Sequence, residues 1–139
     1  WSEHLLRRGK YLYIDMHDAI YRQHIIDHYR FPRNFGKLKK PTHAAGHVNA
    51  SCGDQLQFQA KILKGKIVEI GFTGSGCAVS MAGGSLVSEY AKGKALSSLR
   101  KLKKKDVEKL LNIPISSARE RCALLGLETI QELKKIINE

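Results

Sequence analysis

Cys52, Cys77 and Cys122 are the three cysteines of this 139-residue chain, and each stands alone in a setting that suits a thiolate. They lie in Ser51-Cys52-Gly53-Asp54, in Gly74-Ser75-Gly76-Cys77-Ala78-Val79-Ser80 and in Arg119-Glu120-Arg121-Cys122-Ala123. Three soft sulfur donors and the carboxylate of Asp54 make a four-ligand set for a metal ion. On an extended chain residues i and i+2 share a face, so Cys52 and Asp54 can serve one ion. Cys77 follows a Gly-Ser-Gly turn at the expected start of a helix, where unpaired N–H groups and the helix dipole favour ionised sulfur. Arg119 and Arg121 bring positive charge to Cys122, with the same effect. The spacings are long and contain no CxxC knuckle, so the fold has to gather these ligands.

A lone intracellular cysteine is most often a small buried hydrophobe. An odd cysteine count without a secretory signal points to a reducing, cytoplasmic setting where a structural disulfide is not expected. A second candidate set is His24 and His28, one helical turn apart, a spacing that can bind zinc. The metalloprotease pattern needs Glu directly after the first His. Ile25 stands there, so the pair reads as two half-exposed helix residues. His43 and His47 are weaker candidates in a predicted loop.

The elements that must carry these side chains follow from periodicity. Residues 17–30 read as a helix, with Ile20, Tyr21, Ile25 and Tyr29 at helical intervals, stopped at Phe31-Pro32. Residues 36–47 read as a loop, with a short strand around His47–Asn49. Leu56, Phe58, Ala60 and Ile62 alternate with polar residues, Lys64-Gly65 signals a turn, and Val68, Ile70 and Phe72 alternate again: an antiparallel hairpin. A helix is expected from Cys77 to Ala91, in which Gly83-Gly84 marks either close packing or a break. Leu96 to Lys104 reads as basic and helical, and Asp106 to Leu111 as a short amphipathic helix. Ser117-Ala118-Arg119-Glu120 matches a capping box that places Cys122 in the second turn of the next helix. Gly126 interrupts that helix before a last one with Leu127, Ile130, Leu133 and Ile137 inward. The order argues an α+β fold with helices on one side of a small antiparallel sheet. Residues 1–16 read as an N-terminal extension, non-native or flexible, ahead of a single domain over residues 17–139.

Hydrophobic residues make up 42% of the chain, enough for a packed core, and no apolar run is long enough to cross a bilayer. The net charge is +11, and Lys92 to Lys105 holds seven basic residues and no acidic one. That block reads as a docking surface for an acidic partner or as a solvated face. A nucleic-acid-binding module is the remote alternative, because no nucleic-acid motif and no interleaved aromatic accompanies the charge.

Taken in order, four motifs resemble the iron–sulfur cluster assembly scaffolds of the IscU, SufU and NifU N-terminal type. They are Asp27-His28-Tyr29 with Pro32-Arg33-Asn34, Asn49-x-x-Cys52-Gly53-Asp54, Gly74-x-Gly76-Cys77-Ala78-x-Ser80 and Arg119-x-x-Cys122-Ala123, and they cover about residues 17–137. The resemblance implies an α+β, SufE/NifU-like fold: a three-stranded antiparallel sheet with helices packed on it. It implies a surface site where Cys52, Asp54, Cys77 and Cys122 hold zinc or iron, or a transient [2Fe–2S] cluster. It also implies a cysteine desulfurase as sulfur donor, with Cys122 proposed as the sulfur acceptor, and recipient apo-proteins downstream. Neither a membrane nor nucleic acid is expected as a partner, and the oligomeric state is left open.

The chain departs from the pattern at three places. Ala50-Ser51 stand where family members carry Pro, Arg121 stands where housekeeping scaffolds carry His, and Asn112-Ile113-Pro114-Ile115 replaces a proline-rich chaperone-binding stretch. Two functions stay open: a scaffold that assembles and passes on a cluster, or a SufU-like zinc-dependent sulfurtransferase partner of the desulfurase. The first is a scaffold rather than an enzyme; the second carries sulfurtransferase activity.

Overall fold

The computed structural model describes residues 23–50 and 53–136. The expected extension over residues 1–16, the start of the first helix and Cys52 lie outside the described residues. The described part of the first helix, α1, covers residues 23–30. Its last helical bond is Phe31 N–H to Asp27 O, 2.9 Å, where Pro32 was expected to end it.

Four strands form one antiparallel sheet: β1 His43–Asn49, β2 Asp54–Leu63, β3 Lys66–Ser75 and β4 Lys134–Lys135, in the order β3-β2-β1-β4. The expected three-stranded sheet is therefore corrected to four. The added strand is short and lies where the sequence suggested the end of a last helix. The helix stops at Gln131, Leu133 is buried, and Lys134 and Lys135 pair with Ala44 and His43. The expected loop over residues 36–47 is also shortened, because His43–Asn49 pairs residue by residue with β2. This Ala- and Gly-containing segment has little strand propensity of its own and is set by its neighbours.

β2 follows its alternation: Leu56, Phe58 and Ala60 are fully buried. Lys64 and Gly65 both have positive φ, 54° and 78°, as a two-residue hairpin turn of primed type requires. In β3, Ile70 and Phe72 point inward as expected, but Val68 is exposed. The ladder pairs Lys61 with Glu69 and Ile62 with Ile67, so Val68 is the extra residue of a bulge and the strand's parity changes there. Ile67 takes the core position instead.

The outer side of β3 is covered by two other segments. Phe72 N–H donates to Asn34 O at 3.0 Å and Gly36 N–H to Phe72 O at 2.8 Å. Farther down, Ile67 N–H donates to Lys94 O at 2.9 Å and Gly93 N–H to Ile67 O at 2.7 Å. The Pro32-Arg33-Asn34 motif is anchored on the next helix by serines: Arg33 N–H donates to Ser85 Oγ at 2.8 Å and Asn34 Nδ2 to Ser88 Oγ at 3.1 Å.

The helices after the sheet are α2 Ala78–Ala91, α3 Leu96–Leu99, α4 Lys104–Leu111 and α5 Glu120–Gln131. The expected basic helix over Leu96 to Lys104 is reduced to one turn. α4 starts earlier than expected, capped by Asp106 Oδ2 accepting from Lys103 N–H at 2.8 Å, and ends at Asn112 with φ 60°. Gly83-Gly84 does not break α2, and Gly126 does not interrupt α5. A Cβ on Gly126 would lie 3.1 Å from Gly84 Cα, and a Cβ on Gly84 would lie 3.1 Å from the Phe72 ring. The glycines thus allow α2 and α5 to touch through their backbones. Phe58, Phe72, Val87, Leu125 and Ile130 belong to the buried hydrophobic core. Among the described residues, no helix is long and apolar enough to cross a membrane.

Candidate metal centre

Three elements end at one place. Asp54 is the first residue of β2, Cys77 is the N-cap of α2, and Cys122 lies in the first turn of α5. The expected capping box at Ser117 gives way to a 3-10 turn over Ser117–Arg119, so α5 starts at Glu120 and Cys122 falls one turn earlier than predicted. Gly53, with φ 76°, lets the chain turn tightly into β2, and its N–H bonds Asn49 O at 2.9 Å.

One ligand atom each from Asp54, Cys77 and Cys122 lies within 4.8 Å of the others. Cys77 and Cys122 are partly buried, while Asp54 is only 3% exposed. Cys52, two residues before Asp54, is outside the described residues. Two sulfurs and a carboxylate oxygen from separate elements can be drawn onto one ion, and the donor set suits zinc or iron.

The carboxylate is held firmly. Asp54 Oδ1 accepts from Cys77 N–H at 3.1 Å, and Asp54 Oδ2 accepts from Ser80 Oγ at 2.5 Å. Ser80 Oγ also stands 3.5 Å from Cys77 Sγ and is fully buried. Cys77 itself makes no side-chain cap bond, so Asp54 caps α2 from another element, where a negative charge meets the positive end of the helix dipole. A Cβ on Gly76 would fall 2.8 Å from Asp54 Oδ1, so glycine there leaves the carboxylate its room.

Residues 20–135 match the family described as NifU-like N terminal domain. The chain belongs to the NifU-like N-terminal domain family. It is 37% identical over 117 residues to the iron-sulfur cluster assembly enzyme IscU of Drosophila melanogaster, covering 81% of this chain and 75% of that protein. It is 32% identical over 133 residues to the zinc-dependent sulfurtransferase SufU of Bacillus subtilis (strain 168), covering 83% of this chain and 89% of that one. Its fold is similar to the N-terminal part of a nitrogen-fixing NifU-like protein from Brucella abortus, with TM-score 0.66 at 19% identity over 83% of this chain and 92% of that chain.

Within this NifU-like domain the other candidates do different work. His24 and His28 do not join the thiols. His24 Nε2 meets Leu110 O at 3.0 Å, and buried His28 meets Ser85 Oγ through Nδ1 at 2.8 Å, with Glu89 3.8 Å from its Nε2. They fasten α1 to α4 and α2. His28 was expected to be half-exposed and is buried. Burial, and then the nearby charge of Arg33, lower its pKa from the ordinary value. His43 bonds Thr42, and His47 stands between Glu128 and Glu132 at 3.5 and 3.6 Å.

Arg119 and Arg121 are exposed beside Cys122. Arg121 lines an open groove of about 440 Å³ with His47, Val48, Asn49, Ala50, Leu125 and Glu128. The basic residues of the Lys92–Lys105 block are all exposed except Lys104, which is half-buried and whose Nζ pairs with Glu120 Oε1 at 2.9 Å. Sequence reasoning placed Gly76 in the turn before Cys77 and Ser80 in the motif after it, but gave neither a contact with Asp54, and it gave no role to the Lys104–Glu120 pair. The motif position of Ser80, three residues after a helix-capping cysteine, was the signal for it.

Proposed function

We propose that this protein is an iron–sulfur cluster assembly scaffold and sulfur acceptor, which takes persulfide sulfur from a cysteine desulfurase and assembles and passes on a [2Fe–2S] cluster. The observation that carries this reading is the convergence of Asp54, Cys77 and Cys122 within 4.8 Å, in a chain whose family includes proteins named for cluster assembly. Cys52 completes the ligand set by its place two residues before Asp54. The cluster is the cargo of this site, and zinc can occupy the same donors in its stead.

Cys122 is the sulfur acceptor in this reading. Its thiolate attacks the outer sulfur of the desulfurase persulfide, the donor's S–S bond breaks, and the desulfurase thiolate leaves. Arg119 and Arg121 favour the attacking thiolate. Asp54 supplies an oxygen donor that exchanges more readily than sulfur, which suits a site that releases its contents. The domain that does this spans residues 17–139, and a site built on thiolate chemistry suits a reducing compartment such as the cytoplasm.

Anaerobic reconstitution with ferrous iron and sulfide tests the reading. Visible absorption of a bound cluster that transfers to an apo-ferredoxin is the expected result. Absence of any cluster, with zinc retained and desulfurase turnover stimulated, would favour the second reading, a zinc-dependent sulfurtransferase. The specific support for that reading is the likeness to the SufU protein, which covers 89% of that chain.

A further inference from the structure

Ser80 touches two of the proposed ligands without being a ligand itself. Its hydroxyl is fully buried, donates to Asp54 Oδ2 at 2.5 Å and lies 3.5 Å from Cys77 Sγ. An O–H···O⁻ bond of that length is at the short, strong end of charge-assisted hydrogen bonds. The other carboxylate oxygen is engaged as well, by the Cys77 N–H at the start of α2. Gly76 walls the same oxygen at a distance a Cβ could not tolerate. The carboxylate thus already has an occupation: it caps a helix.

We propose that Ser80 is a positioning residue that holds Asp54 in this capping pose and thereby weakens it as a ligand, so that cargo at the thiols is bound loosely enough to be handed on. The inference rests on the reading of Asp54, Cys77 and Cys122 as the cargo site. Its physical basis is competition. A carboxylate that shares its negative charge with a short hydroxyl donor and a helix N-terminus has less to give a cation. Loading the site therefore draws Asp54 away from Ser80 and Cys77 N–H, and unloading restores the cap.

The test is a double-mutant cycle on the full chain with Co²⁺ as the probe. Binding is followed by thiolate-to-cobalt absorption, and release by the rate of capture by a chelator. Ser80→Ala should tighten Co²⁺ binding and slow its release by about tenfold, the factor that corresponds to one charge-assisted hydrogen bond of roughly 1.5 kcal/mol. Ser80→Thr, which keeps the hydroxyl, should release at the parent rate. In the Asp54→Ala background the Ser80→Ala change should have no effect on release. A merely structural serine would act equally in both backgrounds, and that result overturns the proposal. So does faster release in Ser80→Ala, which would mean that the hydroxyl supports the bound ligand instead.

A measurement on the unsubstituted protein keeps the proposal testable even where a variant fails to fold. Loading Zn²⁺ should reduce the hydrogen-exchange protection of the Cys77 amide, because its acceptor has moved. Undiminished protection in the loaded state refutes the competition. If the unsubstituted protein shows no thiolate-to-cobalt absorption at all, the cargo-site reading itself fails; if it does and the cycle is flat, only the role of Ser80 fails.

Discussion

Gly126 of α5 and Gly84 of α2 meet backbone to backbone, so closely that a Cβ on Gly126 would stand 3.1 Å from Gly84 Cα and 3.2 Å from its nitrogen. This contact sets the spacing of the two helices that carry Cys77 and Cys122. Gly126→Ala should therefore act twice. Overpacking should lower stability by about 1–3 kcal/mol. The forced separation should also weaken metal binding at Cys122, four residues away in α5's first turn. Denaturant unfolding and Co²⁺ titration check the two effects separately, and an unchanged Co²⁺ affinity in a destabilised variant would uncouple the crossing from the site.

Asp54→Ala should cost roughly 1 kcal/mol of stability, since Asp54 caps α2 through Cys77 N–H. A thermal melt of the metal-free protein reads the loss, and an unchanged midpoint would take Asp54 out of the cap.

His28 adds a pH dependence away from the thiols. Its folded pKa is lowered, by burial first and then by the charge of Arg33. The unfolded chain therefore binds a proton more readily than the folded one, and stability falls as pH drops below about 6.5. Above that window the group contributes no slope. Denaturation midpoints measured between pH 5 and 7 should show the decline, and His28→Gln should flatten it.

The basic segment should act on encounter with an acidic partner. Reversing Lys103 and Lys105, both exposed, should slow association with the proposed desulfurase partner at low salt and leave Co²⁺ binding intact. Lys104 belongs to a different experiment, because it is paired with Glu120 at the first residue of α5. Stopped-flow association rates against ionic strength decide the matter; rates indifferent to the reversal would take this segment out of the interface.

What could be read from the residues alone divides along physical lines. β2 and the hairpin turn were plain because a half-buried strand writes its burial into every second residue, from Leu56 to Ala60. The motifs around the thiols were plain because their chemistry is local. The end of β1 at His47–Asn49 was expected, but its first half was hidden, since Ala44, Ala45 and Gly46 become a strand only through their pairing with β2. Val68 was misplaced because a bulge shifts parity without any mark in composition. β4 was missed because Leu133 fits a helical period as well as a buried strand entry. Ser80's bond to Asp54 joins residues from different elements, a relation that no spacing rule encodes.

The two segments laid along the outer side of β3 have a consequence for how the molecule keeps company. Asn34 and Gly36 occupy the backbone groups of Phe72, and Gly93 and Lys94 occupy those of Ile67. A neighbouring chain that tried to extend the sheet by strand addition would find those rungs taken, which is how natural sheets avoid stacking into aggregates. The Pro32-Arg33-Asn34 motif thus shields one border of the sheet, while the proposed thiol site gathers at another.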